Sequence, residues 1–318
     1  MDSVLYYIAR VLVALLQSLP LTLVARIGRA GGSLAYWCDA RHRRVAIQNL
    51  TAAFGTEKNA DEIRALAAEN FRRLGENYAS AVKTAAMNGP EIKQHMDVVD
   101  VEKSFFGPEV GPARSSRVFA IGHFGNFELF AHGVHVVPGY RGATTYRALR
   151  SPALNRLLLD LRRKSGCLFF ERRTEGAALR EAARAEHLMI GLLADQHAGD
   201  RGLRLPFFGR DCATSKAPAI FALRFELPLH TAICYRVRLG HWRIEIGDRI
   251  PTHENGQPRS VEAIMLDVNR AFEVAVRRDP ANWFWVHRRW KPAKASPPAK
   301  PAVTEPNSTS LDPDGERI

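Results

Sequence analysis

The sequence predicts an α/β fold in which a mixed, largely parallel sheet is flanked by helices and follows a helical, membrane-associated region. From about residue 117 onward, short apolar runs alternate with helical stretches, which favours parallel strands joined by helices. Before residue 93, apolar residues recur at helical spacing. The chain has 318 residues, 46% of them hydrophobic, so it is long enough to build a substantial core.

The first 92 residues are predicted to be helical and to contact a membrane. The apolar run from Val4 to Leu16 is too short to span a bilayer as a helix, which takes roughly 20 apolar residues. Aromatic residues such as Trp37 and basic residues such as Arg10 favour helices that lie in the membrane interface. An ordinary buried helical hairpin is the alternative.

A longer helix is predicted for Asp61–Lys83, which is rich in Ala, Leu, Glu and Arg. The Asn-Gly-Pro triplet at 88–90 is predicted to end this helical region. In the remaining chain, strands are predicted at residues 118–121, 143–146, 167–170, 189–194, 229–237 and 241–246. Helices are predicted at residues 124–135, 152–164, 175–186, 215–225 and 261–277. The strands at 229–237 and 241–246 form a predicted hairpin across Leu239-Gly240.

Three regions follow from this pattern. Residues 1–92 are the helical membrane-associating region, and residues 93–291 are the α/β core. Residues 292–318 are rich in Pro, Ala, Lys and Ser with almost no large apolar residue, so they are predicted to be a disordered tail.

The net charge of +12 points to an anionic partner, which is a nucleic acid, an anionic lipid or an acidic carrier protein. Nucleic acid is disfavoured, because the basic residues are spread out and no nucleic-acid-binding motif is present. The four cysteines are scattered without metal-ligand spacing, so no metal site is expected.

One short motif carries the chemistry. His123 directly follows a predicted buried strand and Gly122, and Glu128 lies five residues further on. A histidine and a carboxylate at a strand end can act as a general base and its orienting partner. His95 and Asp100 show the same spacing, and about one such match is expected by chance. His95 has no predicted strand before it, so we interpret it as a surface residue and His123 as the base.

The segment His123–Glu128, His-Phe-Gly-Asn-Phe-Glu, resembles the H-x-G-N-[WF]-[ED] signature (an HX4E motif) of the lysophospholipid acyltransferase family. That family includes the bacterial late lauroyl and myristoyl acyltransferases of lipid A. Further segments resemble the family in the same order over residues 1–291; they are residues 41–54, Tyr146-Arg147 with Ser151-Pro152, Arg162, Ala194-Asp195-Gln196, residues 206–209 and residues 285–291. One departure is Ser151, where the family has Asn before Pro152.

The resemblance implies a glycerol-3-phosphate acyltransferase-like fold and a set of catalytic residues. His123 resembles the general base and Glu128 its orienting carboxylate. Arg162 and Asp195 resemble residues that the family needs for activity, which would bind an anionic part of a substrate and organise the site. The substrate-binding candidates are Asn126, Tyr146, Arg147, Gln196, His287, Arg288 and Arg289. For Tyr146 and Arg147, packing across strands is the alternative. Asn126 is expected to shape the turn or cap the helix, and His287, Arg288 and Arg289 are expected to meet lipid phosphates.

The implied activity is transfer of a fatty acyl chain from acyl carrier protein to a hydroxyl of a lipid A precursor at the cytoplasmic face of the inner membrane. The segment contains no serine or cysteine nucleophile, so no covalent acyl-enzyme is expected. The implied reaction uses an acyl thioester as co-substrate, and no cofactor is expected. An alternative is acylation of a phosphatidylinositol mannoside or another lysolipid with acyl-CoA as donor. A third hypothesis is a basic, non-enzymatic protein that binds membranes or nucleic acid.

Overall fold

The computed structural model describes residues 2–105, 116–133, 137–184 and 187–292. Its α-helices are α1 (Asp2–Ser18), α2 (Leu21–Cys38), α3 (Ala40–Phe54), α4 (Ala60–Thr84), α5 (Gly89–Lys93), α6 (Glu102–Phe105), α7 (Phe130–Gly133), α8 (Pro152–Arg163), α9 (Gly176–Ala182), α10 (Ala217–Arg224) and α11 (Val261–Arg278). Its strands are β1 (Met96–Val99), β2 (Arg117–Ile121), β3 (Arg141–Tyr146), β4 (Leu168–Glu171), β5 (Leu188–Leu193), β6 (Leu203–Phe207), β7 (Arg210–Thr214), β8 (Leu229–Arg238), β9 (His241–Ile250), β10 (His253–Glu254) and β11 (Gln257–Pro258).

Seven of the described strands form one sheet in the order β1-β9-β8-β2-β5-β3-β4. Strands β8, β2, β5, β3 and β4 are parallel to one another, whereas β9 is antiparallel to β8 and β1 is parallel to β9. The predicted α/β class with a largely parallel sheet is therefore confirmed, and so is the hairpin across Leu239-Gly240.

The sheet has a different environment on each face. Along β5, Leu188, Ile190 and Leu192 are buried, whereas the alternate residues on the other face are only partly buried. These three buried residues of β5 belong to a hydrophobic core that helices α3, α4, α10 and α11 cover. This leaves one face of the central strands less filled, and an apolar cavity lies there.

The N-terminal helices are tied closely to each other and to the sheet. Gly28 and Gly75 let α2 and α4 cross in backbone contact, since a Cβ on Gly28 would lie 2.4 Å from the Gly75 carbonyl oxygen. The buried carboxylate of Glu76 on α4 accepts hydrogen bonds from Arg29 on α2 and from Arg236 on β8, at 3.3 and 2.8 Å. No helix in the described residues is long and apolar enough to cross a membrane.

Several local predictions need correction. Helix α4 ends at Thr84, and Asn88 does not close it but begins α5, because its side chain accepts a hydrogen bond from the backbone of Glu91. The short, partly polar strand β1 and the β6–β7 hairpin were not expected. Pro206 lies within β6, which is tolerated because this strand pairs only with β7 in the described residues.

The helix predicted at 124–135 is replaced by a loop and two short helical turns. Phe124 forms a β-bridge with Trp283, and the backbone N–H of Gly125 donates to the Asn282 carbonyl at 2.9 Å. A 3-10 turn follows at Phe127–Leu129 before α7. Residues 134–136, and residues 185–186 of the predicted helix at 175–186, lie outside the described residues, as does the predicted tail from 293 onward.

Candidate functional site

The site is built at the carboxyl ends of two neighbouring strands. His123 follows β2 and Asp195 follows β5, and these strands are parallel partners, so both residues lie at the same edge of the sheet. One oxygen of Asp195, Oδ2, accepts the backbone N–H of His123 at 2.8 Å, and the other, Oδ1, lies 2.8 Å from the ring Nδ1. The carboxylate therefore fixes both the backbone and the ring of His123.

A third donor completes the surroundings of Asp195. The indole Nε1 of Trp283 donates to Oδ2 at 2.8 Å. Burial alone would raise the pKa of the Asp195 carboxyl, but His123 and the three hydrogen bonds lower it below its usual value. An ionised Asp195 keeps the ring proton of His123 on Nδ1, which leaves Nε2 unprotonated and able to accept a proton.

Glu128 has a different partner from the one that the sequence suggested. Its two carboxylate oxygens accept from Nε and Nη2 of Arg162 at 3.0 and 2.5 Å, in a bidentate pair. The expected hydrogen bond from the His123 ring to Glu128 is therefore wrong, and Asp195 orients the ring in place of Glu128. The physical reason is local: Glu128 lies in a 3-10 turn, from which its side chain reaches the last turn of α8.

All four residues predicted to be catalytic line one cleft of ≈ 710 Å³. They are His123, Glu128, Arg162 and Asp195, and four of the predicted substrate-binding residues join them, namely Tyr146, Arg147, Gln196 and His287. The control pair lies elsewhere: His95 is half-buried, its Nδ1 is 3.2 Å from the Gly240 carbonyl oxygen, and neither it nor Asp100 lines the cleft.

The family model described as bacterial lipid A biosynthesis acyltransferase matches residues 2–292, nearly the whole chain. This chain belongs to the bacterial lipid A biosynthesis acyltransferase family. It is accordingly an acyltransferase of lipid A biosynthesis, as the resemblance implied. A search of curated proteins found no match.

In this acyltransferase a second, apolar cavity opens beside the cleft. It has a volume of ≈ 100 Å³. The lining residues that it shares with the cleft are Phe127, Glu128, Ala131, Thr145, Arg162 and Leu193. From there it extends over the partly buried face of the sheet, past Gly191 on β5 to residues of β8, β9 and β1. Because Gly191 lacks a side chain, the face stays open between β2 and β3; a Cβ there would lie 3.1 Å from Cδ1 of Ile121.

His287 lies in the cleft as a neutral ring. Its Nε2 accepts the backbone N–H of His197 at 2.9 Å, so its own proton is on Nδ1. Burial lowers the pKa of His287 to about 4, with contributions from His123 and Arg289, against the opposing effect of Asp195. At neutral pH this residue offers a hydrogen bond but no positive charge, and its contact with a lipid phosphate stays a prediction.

Arg289 is a structural residue of the acyltransferase. Its guanidinium is fully buried and donates to the carbonyl oxygens of Gln196 and Ala213 at 2.9 and 2.8 Å and to Oγ1 of Thr214 at 3.0 Å. It fixes the loop that follows Asp195, and its expected contact with a lipid phosphate is wrong because no solvent reaches it. Arg288 is exposed and is not among the residues that line the cleft.

The turn after His123 depends on Gly125 and not on the Asn126 side chain. Gly125 has φ +50°, and a Cβ there would lie 2.6 Å from the Cys234 carbonyl oxygen. Asn126 is buried, and among the described residues its side-chain amide has no hydrogen-bond partner. The expected capping bond from Asn126 is therefore absent from the described 3-10 turn.

Sequence reasoning missed three residues that shape the site. Trp283 binds Asp195, and the amide of Asn49 donates to the carbonyl oxygens of Trp285 and His287 at 2.7 and 2.6 Å. Arg172 lines the cleft. Asn49 and Trp285 belong to the segments that resemble the family, so those motifs contained a signal; Arg172 carried none. Ser151, the departure from the family pattern, caps α8 through a hydrogen bond from the backbone of Leu154.

Proposed function

We propose that this enzyme transfers a fatty acyl chain from the thioester of acyl carrier protein to a hydroxyl of a lipid A precursor. The hydrogen-bonded pair of His123 and Asp195 carries this proposal, because it lies in a cleft that adjoins an apolar cavity. Nε2 of His123 takes the proton of the acceptor hydroxyl as its oxygen attacks the thioester carbonyl. The carbon–sulfur bond then breaks, and the same proton passes from Nε2 to the departing thiolate.

Direct transfer without an acyl-enzyme is supported by the state of the cysteine thiols and of the Ser165 hydroxyl near the site, none of which is activated as a nucleophile. Cys167 lines the apolar cavity, but burial raises the pKa of its thiol to about 12, so it is not a thiolate at neutral pH. Burial likewise raises the pKa of Cys234. Ser165 donates its hydroxyl to the Arg162 carbonyl at 2.7 Å and ends α8. These groups favour the acceptor hydroxyl as the nucleophile.

The acyl chain of the donor would enter the apolar cavity. The cavity is lined mainly by aliphatic and aromatic side chains of the sheet, and it meets the cleft at Phe127 and Leu193. A chain inserted there would bury its methylene groups, each worth about 0.8 kcal/mol, and leave the thioester near His123.

The membrane contact would be made by α1. Val4, Ile8, Val11 and Leu15 form one stripe along this helix, and each is 52 to 64% exposed. Such a stripe suits a helix that lies in the interface of the inner membrane at its cytoplasmic face, where the net charge of +12 attracts anionic lipid. Near its end α1 is held against the cleft wall, since Gln17 donates to the carbonyl of Val82 at 3.1 Å.

The test is acyl transfer by the purified full chain from acyl carrier protein to a lipid A precursor. His123→Ala should lower the rate about 10²- to 10⁴-fold, which is the typical contribution of a general base. His95→Ala is the matched control, since His95 has the same motif spacing outside the cleft, and it should retain the wild-type rate.

Two results would count against the proposal. Undiminished transfer by His123→Ala would refute the mechanism. If the wild-type chain left the lipid A precursor unmodified but acylated a mannolipid or lysolipid from acyl-CoA, the assigned substrates would be wrong.

A further inference from the structure

Two arginines leave the sheet side by side at the edge that carries the site. Tyr146 at the end of β3 pairs with Glu171 at the end of β4, and the backbone N–H of Arg172 donates to the Tyr146 carbonyl at 3.0 Å. Arg147 and Arg172 therefore directly follow two residues that are paired across neighbouring strands, so they lie side by side. Both are exposed, and both line the cleft that contains His123.

Within the described residues, neither of these guanidinium groups has a carboxylate partner within 4.0 Å, although Glu171 is close in sequence. The carboxylate of Glu171 accepts the backbone N–H groups of Arg173 and Thr174 at 2.7 and 2.9 Å. It is thus engaged by its own loop. Two positive charges that no carboxylate pairs with directly, at one edge of a cleft, can attract an anion of matching size.

The other basic residues that the sequence analysis predicted to bind an anionic substrate are paired, buried or neutral. Arg162 also lines the cleft, but Glu128 neutralises it in a bidentate pair. Arg289 is buried, and His287 is neutral at pH 7 because its pKa is lowered to about 4. Among the described lining residues, Arg147 and Arg172 are the arginines left to bind an anion.

We infer that Arg147 and Arg172 together bind a phosphate ester of the acceptor lipid, an inference that rests on the proposed acyl transfer. A guanidinium presents two parallel N–H donors to phosphate oxygens, and two of them can hold one phosphate from both sides. The acceptor is the source, because its reacting hydroxyl must reach His123 in this same cleft. The phosphate of the carrier protein is separated from its thioester by the whole pantetheine arm.

The experiment compares the lipid A precursor with the same lipid after removal of its phosphates by a phosphatase. Steady-state kinetics are measured for the wild type, Arg147→Ala, Arg172→Ala, the double variant and the matching Lys variants. Arg173→Ala is the matched control, since Arg173 is exposed in the same loop but does not line the cleft.

Each Ala variant should raise the acceptor KM about tenfold with little change in kcat, the effect of losing one charge-assisted hydrogen-bonding group. Lys should restore part of the affinity, because it keeps the charge without the bidentate geometry. The wild type should prefer the phosphorylated lipid, and the double variant should lose that preference. Arg173→Ala should behave as the wild type.

The inference fails if the double variant prefers the phosphorylated lipid as strongly as the wild type does. It also fails if the variants raise the KM for acyl carrier protein and this effect vanishes with acyl-pantetheine, a donor without phosphate. Both results differ from failure of the proposed function, in which the wild type itself transfers no acyl chain to either lipid.

Discussion

Replacing Asp195 by Asn tests the arrangement of the site most directly. In the wild type, Oδ2 accepts two N–H groups, from the His123 backbone and from Trp283, whereas Oδ1 faces the ring Nδ1 alone. An asparagine would place its oxygen at the position of Oδ2, because only this orientation satisfies two of the three donors. Its NH₂ group would then face Nδ1.

The expected loss of rate follows from the proton positions. An NH₂ group that donates to Nδ1 drives the ring proton to Nε2, and a protonated Nε2 cannot accept the proton of the acceptor hydroxyl. In serine proteases the corresponding Asp-to-Asn change lowers kcat by about 10⁴, because it selects the wrong tautomer. We expect Asp195→Asn to lower kcat by about 10³ to 10⁴, which is roughly 4 to 5.5 kcal/mol of activation free energy.

The assay is steady-state acyl transfer from acyl carrier protein at saturating substrate concentrations, with circular dichroism to verify that the variant is folded. Glu128→Gln is the informative comparison, since Gln can still accept a hydrogen bond from Arg162 and no contact to His123 is lost. It should lower kcat less than Asp195→Asn does. If Asp195→Asn kept more than about a tenth of the wild-type kcat, or if Glu128→Gln were the more damaging change, our assignment of the orienting carboxylate would be refuted.

Three further predictions concern the core, the apolar cavity and pH. Arg289→Ala should lower the free energy of unfolding by about 2 to 4 kcal/mol, because it leaves buried carbonyl oxygens unpaired. Denaturant titration measures this free energy, and an unchanged value would contradict the prediction. Gly191→Val should fill the cavity near Ile121 and shift the donor preference toward shorter acyl chains. Competition between acyl carrier proteins that carry acyl chains of different length would show this shift. An unchanged preference would mean that the acyl chain binds elsewhere. Burial lowers the pKa of His230 and of His287 to about 4, so the folded state binds fewer protons than the unfolded state between pH 6.5 and 4. Stability should therefore fall as the pH is lowered through this range, and replacing both histidines by Gln should flatten the profile of denaturation midpoint against pH.

The strands near the site were predictable from sequence because they are buried and bounded by turn residues. The run at 118–121 is wholly apolar and ends at Gly122, and the observed strand is Arg117–Ile121. The helix predicted at 124–135 failed for a tertiary reason. Its pattern was helical, but Phe124 and Gly125 form backbone contacts with a segment about 160 residues away in the sequence.

The substrate-binding candidates near the C-terminus illustrate the same limit. A run of His287, Arg288 and Arg289 beside tryptophans is typical of a site for anionic lipid. Which of these side chains is buried depends on the loop after Asp195 and on α11, and neither contact is visible in the sequence. The structure buries Arg289, leaves Arg288 exposed and keeps His287 neutral in the cleft.

By itself, the sequence determined the fold class, and its motifs indicated the family and the four residues His123, Glu128, Arg162 and Asp195 that share the cleft. Alternating strands and helices specify the fold class because hydrophobic periodicity and local turn residues act over a few positions, whereas the family and the site residues rest on the resemblance of several motifs. Only the tertiary structure decided the pairing within that set. These four residues lie together in the cleft, and the five-residue spacing of His123 and Glu128 suggested that these two are partners. The parallel register of β2 and β5 instead brings Asp195 to His123, 72 residues away, and leaves Glu128 to Arg162.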